Sequence, residues 1–361
     1  MCVGCRVEHH IYNNPETMTG TIQKITASFI RNILEICSIS FVDHFTYITR
    51  FLIYYSMKYS YNSNLLINDE LFDDIGCSVT WITENVSKNK LSKDVIIYLH
   101  GGGFTSRDGA ELIFGTKMIP LLSQLLGKDK APPMVCGVMY TLATSTKKSF
   151  PKPTNEIISI QYQLKQRGYN IISICGDSAG GSLALSSLIE MQEQSSIPIP
   201  PCAIAISPVV DCRMNCKSII NNCNKDFLNH TWMLKCRYAY LLGKYDLSEE
   251  DREQYDKAIA NPLASMVFAS KTQLLKLPPL LLMGGGDEMI IDDVRAFANQ
   301  IKDVHQHNHH DKIRYIEAPG ELHIYPYFDN SYQSTDAFIQ MARFIQPHCC
   351  LDCTEDVHIN L

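Results

Sequence analysis

No uninterrupted apolar run in this 361-residue chain is long enough to cross a bilayer. The greasiest early segment, FTYITRFLIYYSMKY (Phe45 to Tyr59), is too short and carries Arg50 and Lys58. It reads as an amphipathic or buried helix, with contact at a membrane surface as the alternative. The first residues, MCVGCRVEHH, lack a basic region followed by an apolar core, so no secretory leader is expected. The expected location is therefore cytoplasmic or peripheral to an intracellular membrane. Clustered basic charge is missing too. With 32 Lys and Arg against 38 Asp and Glu, the net charge is -6, which excludes a sequence-independent nucleic-acid binder. Charged residues make up only 19%, and no charge run marks a disordered tail. Internal repeats and low-complexity linkers are absent, which excludes solenoids and arrays.

What the chain does have is apolar content, 45% hydrophobic, enough for one large core. It also has 14 cysteines. Cys37, Cys77, Cys136, Cys175 and Cys202 fall in apolar patterns, where a thiol behaves as a small hydrophobe. Cys2 with Cys5, and Cys350 with Cys353, form C-x-x-C pairs at the two ends. Zinc shared between them is a weak alternative to reduced thiols, because the spacing spans the whole chain.

Strand-like apolar runs alternate with amphipathic helical stretches, the pattern of a mostly parallel central sheet flanked by helices. Strands are predicted at 77–84, 94–100, 134–142, 171–175, 202–208, 279–285 and 312–318, and helices at 111–126, 156–167, 181–194, 292–303 and 335–345. Residues 1–60 look helical and could form part of a cap. Residues 212–258 read as a polar, helix-rich cap insertion carrying Cys212, Cys216, Cys223 and Cys236. The expected domain plan is a catalytic α/β domain over 61–211 and 259–348, these two cap segments, and a C-terminal tail over 349–361. A cap over the carboxyl ends of the strands would roof a pocket.

The chemistry concentrates in turns. NIISICGDSAGGSLALS (Asn170 to Ser186) sets G-x-S-x-G between a predicted strand and a predicted helix. In that context the serine, here Ser178, sits on a sharp turn with its hydroxyl exposed. Gly176 and Gly180 are small because strand and helix approach closely there, and the helix dipole favours a developing oxyanion. A second turn, YLHGGGF (Tyr98 to Phe104), places consecutive glycines after another strand. The amides of Gly102 and Gly103, with that of Ala179, suit an oxyanion hole, and His100 suits ordering of the loop. No Lys-Ser/Thr follows, which argues against a phosphate loop.

A serine nucleophile needs a base and the base an orienting carboxylate, in the chain order serine, acid, histidine. His323, in IEAPGELHIYPYF, lies after the last predicted strand. Of the 12 histidines, His305, His307, His309 and His310 form the run HQHNHH, read as a solvated loop. After the penultimate strand, LLLMGGGDEMIIDDVRAFA offers Asp287 or Glu288; Asp292 and Asp293 suit the first turn of the next helix.

These residues resemble the hormone-sensitive-lipase-like branch of the α/β-hydrolases, which includes bacterial esterases, arylacetamide deacetylases and fungal steryl acetyl hydrolases. The resemblance runs from about Asp94 to Phe328 and rests on HGGGF, YTLATSTKKSFP, GDSAGGSLAL, AISPVVD, LPPLLLMGGGDEMIIDD and GELHIYPYF. It implies the α/β-hydrolase fold with a helical cap, and hydrolysis of a small to medium hydrophobic ester through an acyl-enzyme, with no metal or organic cofactor required. The family's acid lies four residues before an aspartate. Glu288 with Asp292 satisfies that register and Asp287 does not, so the resemblance favours Glu288 as the acid. Asp177 matches the variable elbow position and is expected to support loop hydrogen bonding. Thr144 stands where the family often has proline. The alternatives are a non-catalytic receptor for a hydrophobic ligand and an amidase. The first would lack the histidine, and the second would share all of this machinery.

Overall fold

The computed structural model describes residues 28–32, 34, 38, 64–86, 91–193, 197–305, 312–328 and 331–349. Most of the 1–60 segment, including Phe45 to Tyr59, lies outside the described residues. So do the terminal C-x-x-C pairs, His307, His309, His310 and the tail beyond Cys349.

Eight strands form one sheet: β1 (Leu65–Phe72), β2 (Cys77–Glu84), β3 (Asp94–Leu99), β4 (Met134–Met139), β5 (Asn170–Asp177), β6 (Ala203–Ile206), β7 (Leu280–Gly285) and β8 (Ile313–Ala318). Their spatial order is β1-β2-β4-β3-β5-β6-β7-β8. The β1–β2 and β2–β4 pairs are antiparallel and every later pair is parallel. The parallel strands are apolar along their whole length because helices cover both faces. Strand β3 shows how: Val95, Ile97 and Leu99 join one core layer, while Ile96 and Tyr98 join the other.

The helices between strands are α1 (Ala110–Leu126), α2 (Lys152–Gln166) and α3 (Ser178–Met191). In the insertion come α4 (Lys217–Asn221), α5 (His230–Leu242) and α6 (Arg252–Ile259), followed by α7 (Lys271–Leu275), α8 (Ile291–His305) and α9 (Tyr332–Ile345). Helices α1 and α9 pack on one face through Leu112, Phe114, Phe338 and Met341. The other face takes α2, α3 and α8 through Ile157, Leu183, Val294 and Phe297, and Trp232, Met233 and Tyr240 of α5 extend that layer.

Strand β1 departs from expectation, since the sequence reading begins the sheet at residue 77. LLINDELF carries Asn, Asp and Glu at its centre, residues of low strand propensity. Cross-strand pairing overrides that preference. Thr80 Oγ1 donates to Asp69 Oδ1 at 2.6 Å and Trp81 Nε1 to Glu70 Oε2 at 2.7 Å, within a hairpin in which Asp69 faces Thr80. Among the described residues, no helix is long and apolar enough to cross a membrane.

Candidate functional site

Strand β5 ends at Asp177 and α3 begins at Ser178, so the chain reverses within one residue. Ser178 adopts φ 49°, the left-handed region that side chains disfavour. The glycines make the turn feasible. A Cβ on Gly176 would stand 2.5 Å from the carbonyl of Gly180, and one on Gly180 would strike the backbone of Leu99 at the end of β3. The Ser178 turn and the glycine loop after β3 are therefore packed backbone to backbone.

Three predicted side chains converge there. The hydroxyl of Ser178 lies 2.9 Å from His323 Nε2, and His323 Nδ1 lies 3.1 Å from Glu288 Oε2. With Ser178 as donor to Nε2, the ring carries its proton on Nδ1 and donates it to the carboxylate. Glu288 is fully buried and His323 only 2% exposed. Burial pushes the Glu288 carboxyl above its usual range, and the bond from His323 opposes that rise. The loops holding acid and histidine are joined through their backbones. Asp287 N donates to Glu321 O at 2.9 Å and Gly286 N to Ala318 O at 2.8 Å.

The other expected acid points away. Asp287 makes a surface ion pair with Lys225 at 2.9 Å. Asp292 and Asp293 fall in the first turn of α8, as their charge favours. His305 is a correction. It closes α8 as a buried residue with Nε2 3.4 Å from Leu274 O and is no part of a solvated loop, because the helix continues beyond the predicted end at 303.

The glycine loop sits over Ser178's turn. Gly102 and Gly103 take φ 93° and 61°. The Gly102 carbonyl accepts from Thr105 N at 3.1 Å and Ser106 N at 3.0 Å, which curls the loop. His100 is buried, stacks on Tyr140 with ring centroids 4.2 Å apart, and its Nδ1 lies 2.8 Å from Gly101 O. Its place is therefore behind the loop and away from Ser178. Asp177 is also behind it, fully buried, accepting from Tyr98 Oη at 2.6 Å, with Tyr327 Oη 2.6 Å beyond. Burial and then the neighbouring Asp108 charge hold the Asp177 carboxyl well above its usual range.

No site residue is expected from the sequence of the 212–258 insertion, yet the insertion supplies close neighbours of the site. A Cβ on Gly103 would meet Trp232 Cη2 and Cys236 Sγ, each at 2.8 Å. The Phe227 ring lies 5.8 Å from that of His323. Asp226 reaches the Glu288 loop and the His323 loop through its carboxylate. None of these sits in a motif, and their apolar or polar character carries no spacing signal. Cys212, Cys216, Cys223 and Cys236 are free thiols. Among the described residues, no group of His, Cys, Asp and Glu could hold a metal ion.

Comparison with known proteins fits this geometry. The chain is 25% identical over 222 residues to an acetyl-hydrolase of Streptomyces hygroscopicus, covering 61% of this chain and 64% of that protein. It is 26% identical over 216 residues to an esterase of Acinetobacter venetianus, covering 59% and 63%. The chain thus spans less than two thirds of these relatives' length. Among solved structures, an esterase from the bacterial hormone-sensitive lipase family superposes with TM-score 0.70 at 19% identity, covering 91% of this chain and 99% of that one. An esterase/lipase from an uncultured bacterium gives 0.66 at 20% identity, covering 91% and 98%. The family model for the alpha/beta hydrolase fold matches residues 96–326, and the chain belongs to that family.

Proposed function

We propose that this protein is a serine carboxylic-ester hydrolase acting on a small to medium hydrophobic ester. Ser178 attacks the ester carbonyl, and His323 takes its proton at Nε2 and returns it to the leaving alcohol. Glu288 holds the ring in the tautomer that leaves Nε2 free to accept, and stabilises the imidazolium that forms. The amides of Gly102, Gly103 and Ala179 receive the oxyanion of the tetrahedral intermediate. Water then attacks the acyl-enzyme by the same proton path and releases the acid. One observation carries the reading: the unbroken chain from Ser178 Oγ through the ring of His323 to Glu288, at 2.9 and 3.1 Å. The names of the relatives, an acetyl-hydrolase and an esterase, point the same way. Phe227 beside His323 and Trp232 beside Gly103 supply apolar walls suited to a hydrophobic substrate.

The test is hydrolysis of p-nitrophenyl esters from acetate to decanoate by wild type, Ser178→Ala and His323→Ala. Turnover by wild type that falls about 10³-fold or more in both variants supports the mechanism. A wild type inert across the series, or activity surviving in Ser178→Ala, overturns it. The chain-length optimum sizes the acyl pocket.

A further inference from the structure

Asp226 is a fully buried carboxylate on the insertion, just before α5. Its Oδ2 accepts from Met289 N at 2.8 Å, the residue after Glu288. Its Oδ1 accepts from His323 N at 3.3 Å and from Phe227 N at 2.8 Å. One side chain thus holds the backbone beside the acid and the backbone of the histidine itself. The same segment grips the acid loop twice more: Asn222 Nδ2 donates to Glu288 O at 3.0 Å, and Ser218 Oγ to Met289 O at 2.7 Å. From outside, Arg31 Nη1 donates to Asp226 O at 2.9 Å and Cys223 O at 3.2 Å.

We propose that Asp226 is a positioning residue: its carboxylate fixes the separation of the Glu288 and His323 loops and sets a second negative charge against the His323 imidazole. This rests on the reading of His323 as the base. Burial raises the Asp226 carboxyl above its usual range, and the His323 charge and the three N–H donors oppose that rise, so its ionised form is the one these partners favour. In that form it adds to Glu288 in favouring the imidazolium that the reaction creates. The other charges around the pair are Asp108 on the glycine-loop side, the Lys225–Asp287 ion pair at the surface, and Arg31 over the segment's carbonyls.

Asp226→Asn keeps the size and one acceptor but loses the charge. The readout is the low-field proton resonance of His323 Nδ1–H, assigned by its loss in His323→Ala and followed across pH. In Asp226→Asn its titration midpoint is expected to move to lower pH by about half a unit or more. With ester substrates, kcat falls about 10- to 100-fold while KM changes little, and the acidic limb of kcat/KM moves the same way. Ser218→Ala, which loosens the same acid loop through Met289 O without removing charge, leaves that limb in place. An unshifted midpoint and limb in a folded Asp226→Asn overturns the proposal. Should that variant not fold, amide exchange in wild type decides. Met289 and His323 amides as protected as the core strands support the strut, and exchange at exposed-loop rates overturns it. The resonance exists whether or not esters are turned over, so a shifted midpoint with an inert enzyme refutes the esterase reading alone.

Discussion

Ser178 combines two demands that conflict in one residue: a side chain that projects a hydroxyl and a backbone at φ 49° that disfavours any side chain. For an L-residue this conformation costs roughly 1–2 kcal/mol, and the packed glycines on either side impose it. The strain gives a measurable signature. Ser178→Ala keeps the Cβ and the strained backbone, whereas Ser178→Gly relieves it and loses about 0.5–1 kcal/mol through greater freedom of the unfolded chain. We therefore expect Ser178→Gly to be the more stable of the two variants, by about 0.5 kcal/mol in urea unfolding. If Ser178→Ala is the more stable, the turn is not strained in solution. Gly102 and Gly103 face the opposite limit. Their positive φ values and close neighbours leave no room for a Cβ, so the loop is specified by the absence of side chains.

At the scale of elements, the insertion and the α8 loop form one hydrogen-bonded unit around Ser218. Its hydroxyl donates to Met289 O at 2.7 Å and accepts from Asp292 N at 3.2 Å, while Asp292 Oδ2 accepts from Ser218 N at 2.9 Å. Ser218 is 3% exposed, so Ser218→Ala takes the acceptor from Asp292 N and leaves the Met289 carbonyl with only the Cys216 thiol, 3.7 Å away. The expected loss is about 1–3 kcal/mol in urea unfolding, with m unchanged; a loss under 0.3 kcal/mol would mean that water takes over both groups. Such contacts mark the limit of what the sequence discloses. The strands from Cys77 onward and the helices between them are legible because burial on both faces writes continuous apolar runs and one-sided burial writes a 3.6-residue period. Ser178, Gly102 and His323 are legible because each sits in a turn with a local signature. Strand β1 is not, since an edge strand with Asn, Asp and Glu at its centre draws its order from its partner. Asp226, Ser218 and Trp232 are not, because their importance arises from contacts 63, 71 and more than 100 residues away.

For the molecule as a whole, these buried acids link the site to overall stability. Burial, the largest cause in each case, raises the carboxyls of Asp177, Asp226 and Glu288 above their usual values. An acid whose folded-state value is raised binds its proton more tightly when folded. Its contribution is fully present below the unfolded value near 3.9–4.3 and is lost as pH climbs toward the folded value. Asp177 is the group raised furthest, since the Asp108 charge adds to its burial. Replacing it by Asn retains an acceptor for the hydroxyl of Tyr98, 2.6 Å away, and supplies a donor toward Asp108 without a titrating proton. Wild-type stability should therefore decline from pH 5 to pH 8 more steeply than that of Asp177→Asn, by up to about 1.4 kcal/mol per pH unit for the one proton removed. Urea unfolding at each pH measures both slopes. Parallel curves would mean that Asp177 is already ionised at pH 5 in the folded protein. Diverging curves, with the variant the more stable at pH 8, would mean that the glycine loop rests on a carboxyl held in its neutral form.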